Sequence, residues 1–268
     1  MPRRWTNEEE KEKWRELRKL YIKENKTIGE IARILNIGKS TVFDRMRRLK
    51  IPSIPERKAR YLNKRRIKFP DFSEEFAEVC GILLGDGHLS CYANISTYQV
   101  CVCINSTTDR GYIPYVENLL KTVFQLPVGR YYRKTGKAVD LFISSVELIN
   151  KVKEKGLFSS NKVKDQVEIP DWIFRKDSYK RAFLRGFFDT DGSIYLLKFG
   201  IQMSFSNRST PLLQGIRKIL QDLGYRPSKI SSFKLYLTRK SDIIRFVKEI
   251  GFGNPKHVKR AKKFGIIR

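Results

Sequence analysis

One internal repeat constrains the fold of this chain more than any other feature of its sequence. Residues 77–87 (AEVCGILLGDG) match residues 182–192 (AFLRGFFDTDG) at a constant offset of 105. Each copy has a small residue at every fourth position before it ends in Asp-Gly, and residues four apart lie on one face of a helix. The repeat therefore predicts two smooth-faced helices that pack closely. Such packing is a reason to accept the cost of about 1 kcal/mol for a glycine inside a helix.

Both copies of the repeat end in an acidic residue at an unusual position. Asp86 and Asp191 would stand at helix C-termini, where the macrodipole disfavours an anion by about 0.3–1 kcal/mol. If the helices pack in parallel, the two carboxylates meet and repel unless they are protonated or bridged by cations. Carboxylates suit hard divalent cations such as Mg²⁺, so the pair is a candidate metal site. The alternative is that each Asp-Gly is only a turn. Gly87 and Gly192 are expected to be left-handed helix caps.

The residues after each repeat follow the same order of strand and helix patterns. The first copy precedes strands at 88–95 and 98–104, a helix at 108–124, strands at 130–134 and 138–144, and a helix at 146–155. The second precedes strands at 193–198 and 201–206, a helix from Pro211 to near Gly224, strands at 229–233 and 235–238, and a helix at 242–250. Both halves therefore predict an α-β-β-α-β-β-α order, which gives an α+β fold of two related modules.

The first 70 residues differ from the rest of the chain in charge. They hold 22 Lys and Arg and 9 Asp and Glu, a net of +13 within a total of +27. Such an excess indicates a polyanionic partner. Residues 51–70 contain three prolines and predict a basic linker.

Residues 1–50 predict a helix-turn-helix domain. A capping box at Thr27 and Glu30 starts one helix, a left-handed turn is expected at Gly38, and a basic helix follows. The candidate DNA contacts of this domain are Lys39, Ser40, Thr41, Arg45 and Arg48. The alternative is a small helical bundle with a solvated basic face.

Composition excludes several classes of protein. No apolar run approaches the roughly 20 residues that cross a bilayer, and the charged start lacks the apolar core of a signal peptide. The four cysteines and two histidines do not have zinc-finger spacing. We therefore expect reduced cysteines and no membrane partner. The expected location is the cytoplasm near the nucleoid, or an organelle matrix if the gene is in an organelle.

The paired motif and the order of elements resemble the LAGLIDADG homing endonucleases in their single-chain, two-motif form. The resemblance covers residues 70–268. It implies that the motif helices form the interface between two pseudo-symmetric modules, residues 71–165 and 166–268, in a monomer. It also implies that each module presents an antiparallel β-saddle to the major groove of double-stranded DNA.

The same resemblance implies a catalytic site that hydrolyses one phosphodiester on each strand with Mg²⁺, for which Mn²⁺ is a substitute. The implied catalytic residues are Asp86, Asp191, Lys162 and Lys256. The implied metal site comprises Asp86, Asp191, Gly85 and Thr190. On the saddle strands the candidate base contacts are Gln99, Arg133 and Gln202, because Gln suits adenine and Arg suits guanine. Asp189 has no acidic counterpart in the first half and is not expected to be an essential ligand.

Two other functions remain open at this point. A DNA-binding regulator without catalysis would explain the helix-turn-helix, although the retention of both acids favours the nuclease. An RNA maturase that helps an intron splice would also be basic, because charge does not separate intron RNA from DNA. An intein is not expected, since the chain has no His-Asn ending.

Overall fold

The structure is a computed structural model. The residues it describes are 6–24, 26–51, 67–92, 97–133, 136–154, 162 and 164–267. The chain divides into two compact units, Met1–Pro55 and Glu56–Arg268. Most of the predicted linker, residues 52–66, lies outside the described residues. Among the described residues, none of the helices combines the length and the apolar character that a membrane span requires.

The first unit is a group of short helices. They are α1 (Asn7–Arg18), which a π-helical turn (Lys19–Lys23) extends, α2 (Ile28–Ile34) and α3 (Lys39–Arg48). The capping box is present, because the Thr27 hydroxyl accepts from the Glu30 amide at 2.9 Å and the Glu30 carboxylate accepts from the Thr27 amide at 2.8 Å. The left-handed residue of the turn is Asn36 (φ 50°), not Gly38 as predicted. Gly38 is extended and is the N-cap of α3.

The first module of the second unit has the predicted order. Its elements are α4 (Glu74–Asp86), β1 (Gly87–Tyr92), β2 (Thr97–Asn105), α5 (Ile113–Phe124), β3 (Gly129–Tyr132), β4 (Ala138–Ser144) and α6 (Val146–Glu154). The strands form one antiparallel sheet in the order β1-β2-β4-β3. The helix predicted from residue 108 begins later than expected, because a 3₁₀ turn (Arg110–Tyr112) precedes it.

The second module repeats this order with two differences. Its elements are α7 (Asp177–Asp191), β5 (Gly192–Leu197), β6 (Gly200–Ser206), α8 (Thr210–Asp222), β7 (Lys234–Leu237), α9 (Lys240–Glu249) and α10 (Pro255–Lys263). The predicted strand at 229–233 is wrong, because Ser232 and Phe233 have positive φ values and turn the chain into β7. The sheet therefore has three strands, β5-β6-β7. Helix α10 was not predicted and begins at Pro255, after an Asn254 N-cap.

The two motif helices α4 and α7 pack with their backbones in direct contact. A Cβ atom added to Gly81 would overlap the Phe183 carbonyl oxygen, and one added to Gly186 would overlap the Glu78 carbonyl oxygen. The close approach expected from the small-residue stripe is therefore present. It makes the two modules one packed body with a shared apolar core.

The glycines after the motif helices do not have the predicted left-handed conformation. Gly87 has φ −79° and ψ 154°, and Gly192 has φ −93° and ψ 159°, so both are extended. Each helix runs directly into the first strand of its sheet. A Cβ atom at these positions would overlap the carbonyl oxygen of Leu83 or of Phe188, which explains the glycines by close approach instead of by left-handed geometry.

Candidate active site

Helices α4 and α7 bring Asp86 and Asp191 together, because each aspartate is the last residue of its helix. The contact surface between the helices continues to this end. A Cβ atom at Gly85 would lie 3.6 Å from Asp191 Cγ and would overlap the Thr190 hydroxyl. Thr190 itself donates its hydroxyl to the carbonyl of Phe187 at 2.9 Å. Gly85 is thus the small residue that lets the second motif helix present Thr190 and Asp191 beside Asp86.

The electrostatics show that the two carboxyls interact. The Asp86 carboxyl reaches solvent, but the protein packed around it removes much of its water, and this desolvation raises its pKa to about 6. The negative charge of Asp191 adds to that increase. Burial also raises the pKa of Asp191. Two partly desolvated acids side by side are the arrangement that a cation would relieve.

Lys162 already supplies one cation to this site. Its ammonium donates to the carbonyls of Leu83 and Leu84 at 3.2 and 3.1 Å and also to that of Gly85. It therefore satisfies the C-terminal carbonyls of α4, at the negative end of the helix dipole. Burial lowers the pKa of Lys162, and the charges of Asp191 and Asp86 oppose that decrease.

Lys256 is also near Asp86, but its ammonium is bound by a carboxylate instead of by helix carbonyls. Its ammonium forms an ion pair with Asp109 at 2.6 Å. The Asn254 side chain donates to Asp109 at 2.7 Å and to the Asp189 carbonyl at 3.2 Å. Lys256 also lowers the pKa of Asp86, but less than Lys162 does. The group that contacts the C-terminal carbonyls therefore differs between the two motif helices. It is the Lys162 ammonium at α4 and the Asn254 side-chain amide at α7.

Sequence reasoning did not identify Asn207 or Asp109. Asn207 follows β6 and donates to the Asp191 carboxylate at 2.7 Å, while its own oxygen accepts from the Ser209 amide at 2.9 Å. An Asn that ends a strand is a common turn signal, and nothing in the local pattern indicates its contact with Asp191. Asp109 is placed by Asn254, 145 residues along the chain.

Asp189 does not belong to the carboxylate pair. It is buried, its Oδ2 accepts from the Gly253 amide at 2.7 Å, and burial raises its pKa to about 8. Its Oδ1 has no hydrogen-bond partner among the described residues. Asp189 thus faces the protein interior beside α10.

The donor set fits a metal shared with a substrate but not a cage of protein side chains alone. Within the described ranges no three His, Cys, Asp or Glu side chains are grouped to hold an ion. The oxygen donors at this point are the carboxylates of Asp86 and Asp191, whereas the carbonyl of Gly85, a predicted ligand, accepts from the Lys162 ammonium. Mg²⁺ is usually bound by one or two carboxylates together with water and substrate phosphates, and this pair matches that requirement.

The sheet register resolves which side chains lie on the face away from the core. Val100 and Val102 are buried, so Gln99 lies on the opposite, outer face of the first sheet. Gln202 alternates with buried Met203 and lies on the outer face of the second sheet. Gln99 pairs with Ser90, and Gln202 pairs with Tyr195. Because Ser90 and Tyr195 are 105 residues apart, which is the offset of the repeat, the two glutamines occupy equivalent places.

Both glutamines have partners on that outer face. Gln99 donates to the Ser144 hydroxyl at 3.2 Å, and Gln202 accepts from the Tyr195 hydroxyl at 2.6 Å. Arg133 forms a bidentate pair with Asp140, at 2.9 Å from each of two nitrogens. The pair uses Nε and Nη2 of the guanidinium, so the Nη1 side of Arg133 can donate to a guanine edge while Asp140 holds the side chain in place.

The candidate contacts of the first unit lie on α3. Its exposed first turn contains Lys39, Ser40 and Thr41. Arg45 is half-buried, and Arg48 forms an ion pair with Glu10 of α1 at 3.1 Å. The first turn is therefore the freest part of the helix for contact with a ligand.

Comparisons with known proteins bear on the fold of the second unit. Residues 178–251 match the family model of the LAGLIDADG-like domain. A curated relative is the replication factor C small subunit of Methanocaldococcus jannaschii, 24% identical over 196 residues, which cover 71% of this chain and 10% of that protein. The chain thus spans about a tenth of that relative's length.

Two solved structures are similar to this chain. I-DmoI in complex with DNA and Ca is similar over 71% of this chain and 97% of that chain, with 16% identity and a TM-score of 0.50. The N-terminal LAGLIDADG domain of DUF199/WhiA is similar over 74% of this chain and 91% of that chain, with 18% identity and a TM-score of 0.46. The resemblance predicted from the repeat is confirmed. The chain carries a LAGLIDADG-like domain and has the two-motif LAGLIDADG fold in a single chain.

Proposed function

We propose that this protein is a Mg²⁺-dependent endonuclease that cuts both strands of a long double-stranded DNA site. The observation that carries the proposal is the convergence of Asp86 and Asp191 at the ends of two packed helices. From this point each helix continues into a sheet that carries a glutamine on its outer face, Gln99 in the first and Gln202 in the second. A homing endonuclease with this fold, I-DmoI, has been solved with DNA and Ca.

Asp86 and Asp191 would hold the metal together with phosphate oxygens. When bound, a divalent metal lowers the pKa of an attacking water and stabilises the leaving oxyanion. Asn207 keeps Asp191 oriented through its 2.7 Å hydrogen bond. Lys162 provides a positive charge next to both carboxylates and can neutralise charge on the phosphate. At neutral pH Asp86, with a pKa of about 6, is mostly ionised and ready to bind a cation.

The DNA would lie along the outer faces of the two sheets. Gln99 and Gln202 stand at equivalent positions of these faces, as a nearly palindromic reading surface requires. The net charge of +27 favours association with a polyanion. Because both modules belong to one chain, we expect a monomer with internal pseudo-twofold symmetry.

The proposal is tested by incubating the protein with a randomised duplex library and Mg²⁺ and sequencing the cut ends. We expect defined double-strand cuts. Asp86→Asn and Asp191→Asn should keep DNA binding but lower the cleavage rate by about 10²-fold or more, the effect of removing one charge-stabilising group. Asp171→Asn, at an exposed carboxylate outside the site, is the matched control and should cut normally. Full activity in both site variants would remove the proposed metal roles.

The first unit favours a second candidate, a DNA-binding regulator without cleavage. Its α3 has an exposed first turn with a lysine and two hydroxyls, which suits contacts in a groove. Deleting residues 1–55 should weaken DNA affinity and make it less dependent on salt, because phosphate contacts are lost. Equal affinity and salt slope would leave this unit without a DNA role. In the library experiment, selective retention without cuts supports the regulator. If a structured intron RNA added to that experiment displaces the DNA, the result supports a maturase.

A further inference from the structure

The hairpin between β5 and β6 has an aromatic residue at its tip that packing does not explain. The turn consists of Lys198 and Phe199, and Phe199 is 94% exposed. Hairpin turns of two residues favour Gly, Asn and Asp, so a phenylalanine here has no conformational purpose. The neighbouring Leu196 and Leu197 are also exposed, at 60% and 48%. An exposed apolar group of this kind marks a contact surface.

The position of this tip follows from the strand that leads to it. Strand β5 begins directly after Asp191, and Phe199 is eight residues further along the chain. At about 3.3 Å per residue the tip lies about 26 Å from the carboxylate pair. With about 3.4 Å per base pair in DNA, this distance corresponds to about 8 base pairs.

The tip continues the outer face of the second sheet. Leu197 is two residues after Tyr195, which pairs with Gln202, so all three lie on that face. Lys198 adds a positive charge in the same turn, 5.5 Å from the Phe199 ring. A basic turn on a chain of net charge +27 opposes self-association and favours a polyanion as the occupant.

We propose that Phe199 contacts the C5-methyl group of a thymine in the major groove, about 8 base pairs from the cut on the side of the second module. This inference rests on the proposed function. The major groove admits a two-stranded β-ribbon, and the thymine methyl is the apolar group that its base edges present to a side chain such as Phe. Leu197 supports the contact from the outer face, and Lys198 is placed for the neighbouring phosphate.

The test uses the duplex that the full chain selects from the randomised library, whether by cutting or by retention. Each thymine 6 to 10 base pairs from the cut, or from the centre of a retained site, is replaced singly by deoxyuridine, which lacks only the methyl group. Affinity is measured by fluorescence anisotropy at one salt concentration. We expect one replacement to weaken binding about fourfold, the effect of losing one buried methyl.

Variants of the chain assign that effect to the tip. Phe199→Ala should bind the thymine and uracil duplexes equally. Ile244→Ala, at an exposed apolar residue of α9, is the matched control and should keep the fourfold difference. The proposal is overturned if thymine and uracil bind equally in the wild type, or if Phe199→Ala keeps the difference. It is also overturned if Phe199→Ala changes the sedimentation of the DNA-free protein, because the tip would then be a protein interface.

Failure of this inference is distinguishable from failure of the proposed function. Defined cuts combined with equal affinity for thymine and uracil would overturn the Phe199 contact alone. Selective binding without cuts, together with the methyl effect, would overturn the nuclease and support the contact. A chain that retains no duplex selectively would overturn both.

Discussion

Replacing Gly81 by alanine should separate the two motif helices. The added methyl would overlap the Phe183 carbonyl oxygen and lie 2.7 Å from the Phe187 amide nitrogen. Both neighbours are backbone atoms and the carbonyl oxygen is the nearer one, so the helices must move apart by more than about 1 Å to reach a normal separation of about 3.5 Å. Overpacking costs about 1–3 kcal/mol, and the upper end of about 3 kcal/mol applies here because neither backbone neighbour can rotate away. The better helix propensity of alanine returns about 1 kcal/mol. We expect a net loss of about 2 kcal/mol in the free energy of unfolding.

The loss is measured by differential scanning calorimetry. For a unit of this size it corresponds to a decrease in Tm of about 4–8 °C. Gly215→Ala in α8 is the matched control, because its methyl meets side-chain atoms of Ile169 instead of backbone, the nearest being the terminal Cδ1 at 2.9 Å. That variant should unfold within about 1 kcal/mol of the wild type. If Gly81→Ala is as stable as Gly215→Ala, the argument from backbone contact is refuted. Since Gly81 is about 7.5 Å before Asp86 along the helix, cleavage should also decrease.

Four further outcomes follow from the same structure. Glu78→Gln should lower the free energy of unfolding by about 1–3 kcal/mol, because buried Glu78 accepts a charged hydrogen bond from Arg185 at 2.9 Å; an unchanged urea midpoint contradicts this. Divalent-ion affinity, measured by calorimetry, should increase from pH 5 to pH 7, since Asp86 with a pKa of about 6 must lose its proton to bind. In the metal-free protein the raised pKa of Asp86 means that the folded state binds this proton more tightly than the unfolded state. The stability that this proton contributes therefore decreases as pH rises from about 4 to 6. The decrease should be absent in Asp86→Asn. Gly29→Ala in α2 should stabilise the first unit by about 0.5–1 kcal/mol, because its methyl makes ordinary contacts with the Lys39 side chain at 3.4 Å and the Thr27 hydroxyl oxygen at 3.8 Å; a lower Tm contradicts this.

Several features were predictable from the sequence because their causes are local. The capping box at Thr27 and Glu30 joins residues three apart, and the order of strands and helices follows from periodicity within short windows. Errors occurred where a few backbone angles decide the outcome. The strand at 229–233 fails because Ser232 and Phe233 turn with positive φ. The left-handed caps fail because each motif helix enters its strand without a turn.

The candidate site shows the same division. That Lys162 and Lys256 stand near the acids was implied only by the family resemblance, and their partners were not predictable. Lys162 is held by carbonyls 77 to 79 residues away, and Lys256 is held by Asp109. The phase of the strands could not be read from alternation alone, because Cys101 and Cys103 on the outer face of β2 are also apolar.

The sequence by itself determined that two helices would pack along small residues and end in Asp86 and Asp191. Residue type and spacing are sufficient for this conclusion, because a helix places every fourth side chain on one face. Only the tertiary structure decided which groups surround those carboxylates. Asn207, Lys162 and Asp109 reach the site through contacts between distant parts of the chain. Such contacts depend on sheet register and helix packing, which local residue patterns do not specify.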